Sequence, residues 1–80
     1  MHVKILGTGC PACQSMYNTV VQIVDRENME AEVEYVKDIG KILSYGVLSV
    51  PVLVINEKVV MLGYRGASKI GEVLREARLA

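Results

Sequence analysis

Both cysteines of this chain lie in one tetrapeptide, Cys10-Pro11-Ala12-Cys13, and a thiol pair at that spacing has two chemistries open to it. It can cycle between dithiol and disulfide, exchanging with other disulfides through a mixed-disulfide intermediate. It can also hold a thiophilic ion such as Cu(I) or Hg(II) between two thiolates. Residues three apart at the start of a helix share one face of the first turn. That brings their Cα atoms within the window of roughly 4.4–6.8 Å that a disulfide requires. The N-terminus of a helix carries about half a positive charge, which favours a thiolate over a thiol. Pro11 suits the first helical position, where its missing N–H costs nothing.

Few other side chains compete for chemistry. Tetrahedral zinc within one chain needs further ligands, and only His2 could add one, so no metal site is expected. Met16 and Met29 recur with other apolar residues at helical spacing and read as core. His2 and Lys4 read as strand residues facing solvent, although a lysine close to the cysteines would favour their thiolates. Tyr17 reads as a half-buried helix tyrosine. Tyr64 and Arg65 fall in a loop.

The elements that must position the cysteines follow from periodicity. Val3–Leu6 is a short apolar run ending in the turn Gly7-Thr8-Gly9. From Pro11 the apolar positions Ala12, Met16, Val20, Ile23 and Val24 recur at three and four residues, predicting a helix that fades near Asn28. Ala31, Val33 and Tyr35 alternate with Glu32 and Glu34, predicting a strand with one exposed face, and its glutamates suit a sheet edge. Asp38 can cap a short helix carrying Ile39, Ile42 and Leu43, which Gly46 can end. Val50–Ile55 is a continuous apolar run, the mark of a strand covered on both faces, with Pro51 at its first residue. Asn56-Glu57 can turn the chain into Lys58–Leu62 as a hairpin. After the loop Gly63-Tyr64-Arg65-Gly66, Ser68 can cap a last helix with Ile70, Val73, Leu74 and Ala77 on one stripe. Gly71 within it costs about 1 kcal/mol relative to alanine, so this helix relies on packing. The order βαβαββα predicts parallel strands across the helical links, an antiparallel hairpin, and helices on both faces of an α/β sheet. Small metal-carrying domains that place a cysteine pair after their first strand run βαββαβ and end in a strand. This chain ends in a helix, which favours redox chemistry over metal transfer.

Size and composition narrow the function further. Eighty residues make a single domain, 1–80, and one this small buries only about 60% of its unfolded surface, so its core must be apolar. The sequence is 51% hydrophobic, without Phe or Trp. Nine basic residues balance nine acidic ones, leaving no basic stripe for nucleic acid. No apolar run reaches the length of a membrane span, and none at the N-terminus has the form of a signal peptide. The expectation is a cytoplasmic monomer. In that reducing compartment a lone cysteine pair is redox-active or metal-binding rather than a structural staple.

With Gly7-Thr8-Gly9-Cys10-Pro11-Ala12-Cys13, Ser49-Val50-Pro51 and Gly63 after the hairpin, the chain resembles the small glutaredoxin-like branch of the thioredoxin superfamily. It is particularly similar to the short redox-active disulfide proteins of that branch. The resemblance spans essentially the whole chain. It implies a four-stranded mixed sheet in the order 2-1-3-4 and a cis peptide before Pro51, facing the disulfide. It implies Cys10 as the attacking thiol and Cys13 as the resolving one. Pro11, Ala12, Val50, Pro51, Gly63 and Tyr64 would border the substrate groove, and no cofactor is implied. Its partners would be proteins bearing disulfides and a reductant, either a reductase of the thioredoxin type or a glutathione-linked system. The sequence also departs from its relatives. Gly9 stands where thioredoxins carry tryptophan, and Lys4 stands where they carry a buried acid. Tyr64-Arg65-Gly66-Ala67-Ser68 replaces the acidic residues with which glutaredoxins hold glutathione's amino group.

Overall fold

The computed structural model describes residues 1–79. The elements run β1 (His2–Leu6), α1 (Pro11–Arg26), β2 (Glu32–Val36), α2 (Ile39–Ser44), β3 (Val52–Ile55), β4 (Lys58–Leu62) and α3 (Ala67–Leu79). The strands form one sheet in the order β2-β1-β3-β4. β1 is parallel to β2 and antiparallel to β3, and β3–β4 is the antiparallel hairpin. This is the thioredoxin-like architecture that the motifs implied, and its path differs from βαββαβ.

Alternation along β1 sorts the core into two layers. Val3 and Ile5 point to the face shared with Met16, Val20 and Ile23 of α1 and Ile70 and Leu74 of α3. Leu6 points to the opposite face, with Ile42 of α2 and with Val47, Val52 and Val54. Central strand β3 is buried at every position, which explains its unbroken apolar run. β2 lies at the edge with Glu32 and Glu34 exposed.

Local chemistry sets the ends of the elements. After α1, Asn28 takes the left-handed conformation (φ 54°), tolerable for asparagine, and the Met29 N–H returns to the Val24 carbonyl at 3.0 Å. Asp38 caps α2 by accepting the Lys41 N–H at 3.0 Å. Asn56 and Glu57 both have positive φ, the geometry that matches a two-residue turn to strand twist.

Three boundaries differ from the expectations. β2 reaches Val36, because the Gly7 N–H bonds the Val36 carbonyl at 3.0 Å and prolongs the pairing with β1. Pro51 precedes β3 rather than opening it, since it has no N–H to give the ladder, although its carbonyl accepts the Gly63 N–H at 2.8 Å. Ser68 lies inside the first turn of α3 instead of capping it. The Gly66 carbonyl already accepts the Ile70 N–H at 3.2 Å, so the helix starts earlier.

Candidate redox site

Cys10 stands just before the first turn of α1, with extended backbone (φ −65°, ψ 161°). Its carbonyl accepts the Gln14 N–H at 2.9 Å, and its sulfur accepts the Cys13 N–H at 3.1 Å. The sulfur thus takes the place of the serine or aspartate oxygen that usually caps a helix. The same N–H and the helix dipole favour negative charge on Cys10 once the sulfur is reduced, and no acidic residue in the first turn opposes this. Cys10 and Cys13 are joined in a disulfide, their Cα atoms 4.9 Å apart. The two differ sharply in access. Cys10 is partly exposed beside the exposed Pro11 and Ala12, whereas Cys13 is 0% exposed.

Beneath the disulfide lie two residues that sequence reasoning treated as ordinary turn and strand positions. Gly7 is buried, and a Cβ added to it would stand 2.9 Å from Cys13 Cβ, 3.0 Å from Cys13 Sγ and 2.9 Å from the Tyr35 hydroxyl oxygen. Glycine is required there because any side chain would collide with the redox helix. The Tyr35 hydroxyl also accepts the Gly9 N–H at 3.1 Å, tying the end of β2 to the loop that carries Cys10. The Tyr35 ring packs against Tyr17 (centroids 5.4 Å apart), and Lys37 Nζ lies 5.3 Å from its centroid. Alternation placed Tyr35 on β2. Only the parallel register, which sets Tyr35 opposite Ile5 near the end of β1, delivers its hydroxyl to the cysteine loop.

The other residues assigned to the groove are placed as follows. The Val50–Pro51 peptide is cis, Pro51 is buried, and Val50 is partly exposed. The hydrogen bond from Gly63 to the Pro51 carbonyl joins those two segments. The Tyr64 hydroxyl lies 3.1 Å from that of Thr19, so this side chain is engaged with α1. A concavity of about 220 Å³ runs from Thr8 to Val50, floored by Ile42 and Val47 and rimmed by Ile39, Leu43 and Leu48. Leu48 is 95% exposed at its lip. The sequence marked Val50 but not the apolar rim that α2 supplies, because the spacing of Ile39 and Leu43 reads equally well as core.

Lys4 does not serve this site. Its Nζ is 2.7 Å from Glu57 Oε1 and donates to the Tyr45 hydroxyl at 3.0 Å, and that hydroxyl donates to Glu57 Oε2 at 3.1 Å. The bond to Glu57, then that to Tyr45, holds the Lys4 ammonium well above the ordinary lysine range, while Lys4 holds the Glu57 carboxyl below its own. The lysine is therefore partnered on the α2 face rather than solvated, as its place in the strand had suggested. Among the described residues no polar or charged residue is fully buried, so no buried carboxylate lies beneath Cys13.

Comparison with known proteins agrees with this geometry. The profile of the thioredoxin domain family matches residues 1–75. A protein named thioredoxin from Methanothermobacter thermautotrophicus is 33% identical over 69 residues, covering 86% of this chain and 88% of that protein. Another protein of that name, from Methanocaldococcus jannaschii, is 35% identical over 43 residues, covering 54% of this chain and 50% of that one. With a four-stranded 2-1-3-4 sheet and a cysteine pair closed at the head of α1, the chain belongs to the thioredoxin family and has the dithiol of a thiol–disulfide oxidoreductase.

Proposed function

We infer that the chain reduces protein disulfides, with Cys10 attacking and Cys13 resolving. The observation that carries this reading is the unequal placement of the sulfurs, one partly exposed and served by a backbone N–H, the other buried. The Cys10 thiolate attacks one sulfur of a substrate disulfide, releasing the first substrate thiolate and forming a mixed disulfide. Cys13 loses its proton to solvent and attacks Cys10 Sγ. The bond between Cys10 and the substrate breaks, and the second thiolate leaves with the electron pair and takes up a proton. Two electrons pass to the substrate, and the Cys10–Cys13 bond stores the oxidised state until a reductant reopens it.

Substrate recognition rests on the loops around Thr8 and Val50, which meet at one concavity. The ladder of β3 begins at Val52, which leaves the main chain at Val50 available to an extended segment of the substrate, as in strand addition. The concavity between Thr8 and Val50 takes an apolar side chain of that same segment, since its rim is shared with both loops. A reductase of the thioredoxin type is the favoured electron donor, because Tyr64-Arg65-Gly66 offers glutathione's amino group no carboxylate. The working compartment is the reducing cytoplasm, where such a pair cycles.

The test is insulin reduction, driven in parallel by thioredoxin reductase with NADPH and by glutathione with its own reductase. Turnover in the first arm exceeding that in the second, and its loss in Cys10→Ser, is the expected result. Failure of the reduced protein to accelerate insulin reduction in either arm would sink the reading.

A further inference from the structure

The proton balance of Cys13 poses a chemical problem. To resolve the mixed disulfide it must become a thiolate in a buried position, where desolvation disfavours charge. Among the described residues no carboxylate is buried with it. The groups that face Cys13 from the surrounding elements are few. From α1 come Cys10 and, through the ring of Tyr35, Tyr17. From β2 come the Tyr35 hydroxyl and, over its ring, the Lys37 ammonium. Apart from Cys10, the β1–α1 loop and the segment 49–51 hold no titratable side chain. In the loop 63–66 Tyr64 is bound to Thr19, and Arg65 is exposed. Lys4 is held by Glu57.

We propose that Tyr35 is the positioning residue of the resolving step, its hydroxyl donating a hydrogen bond to the Cys13 sulfur when the disulfide opens. Three observations carry this. The hydroxyl oxygen and Cys13 Sγ lie 2.9 and 3.0 Å from one point, the place a Gly7 Cβ would occupy, so both border the gap that the missing side chain leaves. The hydroxyl already accepts the Gly9 N–H, which fixes the oxygen and leaves its own proton free to donate. The ring is held from turning away by Tyr17 and Lys37. A hydrogen bond donated to a charged sulfur favours the thiolate. Tyr35 keeps its proton throughout. The Cys13 proton goes to solvent, the Cys13–Cys10 bond forms, the bond from Cys10 to the substrate breaks, and the substrate leaves as a thiolate.

The inference rests on the reading that Cys10 attacks and Cys13 resolves, and the test separates the two. Reduced protein is mixed with dithiobis(nitrobenzoate) in a stopped-flow instrument across pH. The first burst of thionitrobenzoate reports attack by Cys10, and the second reports resolution by Cys13. Tyr35→Phe keeps the ring and removes only the hydroxyl. Its second phase is expected to slow about tenfold near neutral pH, with a profile moved up by about one pH unit, a typical effect for a hydrogen bond to a charged group. Its first phase is expected to move far less than the second, although the Gly9 N–H loses its partner, and a circular-dichroism spectrum matching that of the unsubstituted protein shows that the variant is folded. An unmoved second-phase profile in Tyr35→Phe, or both phases moving together, overturns the role given to Tyr35. Release of a single thionitrobenzoate by the unsubstituted protein overturns the resolving role of Cys13, and this inference with it.

Discussion

The two cysteine side chains are chemically identical, so any division of labour between them comes from their surroundings. Cys10 Sγ receives a backbone N–H at the head of a helix, and Cys13 is sealed under it against Gly7. From this a trapping result follows. Cys13→Ser is expected to accumulate a mixed disulfide with substrate, visible as an added mass on nonreducing analysis, whereas Cys10→Ser stays unmodified. Iodoacetamide at neutral pH is expected to label Cys10 of the reduced protein first. Faster labelling of Cys13 would reverse the assignment. Gly7 belongs to the same scale, because its lack of a side chain lets the redox helix approach β1 and β2 so closely.

Among the elements, α2 is short but does two jobs. Ile42 closes the second core layer, while Ile39 and Leu43 turn outward to the concavity between Thr8 and Val50. Leu48→Asp at its lip is expected to lower the rate of insulin reduction about five- to tenfold, the scale of one apolar side chain's burial. The rate with a small aromatic disulfide, which has no segment to lay in the groove, is expected to hold. Equal losses with both substrates would argue against docking there. α3 offers a contrasting case. Gly71 is buried, yet the atoms nearest an added Cβ belong to the Arg75 guanidinium, at 3.0–3.3 Å, the far end of a flexible side chain that need give by only a few tenths of an ångström. Gly71→Ala is therefore expected to stabilise the fold by about 0.5–1 kcal/mol through helix propensity and the unfolded chain, read as a higher midpoint in urea. A lower midpoint would show that the arginine cannot yield.

Across the whole molecule, the helices on the main face are tied by Arg75, whose Nη2 and Nε donate to the Glu27 carboxylate at 2.8–3.2 Å. These bonds hold the Glu27 carboxyl below the ordinary range and raise Arg75. A carboxylate whose folded-state pKa is depressed contributes stability above its unfolded pKa and loses it as the pH falls through the folded one. This contribution is thus expected to be complete above about pH 5 and to fade at about pH 4 and below. Because the groups are partly exposed it is modest and screened by salt. Glu27→Gln is expected to reduce the fall in stability between neutral and acid pH, most visibly at low ionic strength. An acid profile unchanged by the substitution would place the pH dependence on other carboxylates, Glu57 with Lys4 first among them.

What the sequence determined by itself is what local chemistry controls. Hydrophobic period sorted helices from strands, Asp38 and Asn56-Glu57 marked a cap and a turn, and the cysteine pair before a helical stripe named the site. Each of those signals acts within a few residues, so it can be read from a window of chain. The misplaced ends have separate causes. A bond to a distant partner, from the Gly7 N–H to the Val36 carbonyl, lengthens β2. The missing N–H of Pro51 keeps it out of the β3 ladder. The Gly66 carbonyl accepts the Ile70 N–H and so starts α3 before Ser68. Tertiary structure alone decided that Lys4 pairs with Glu57 and that Ile39 and Leu43 line a concavity. It alone brought Tyr35 to Cys13. Those juxtapositions depend on strand register, and a shift of one residue would turn Tyr35 to the other face of the sheet. Nothing in the local pattern of Glu-Val-Glu-Tyr-Val specifies that register. It is set by how the two core layers pack around β1 and β3.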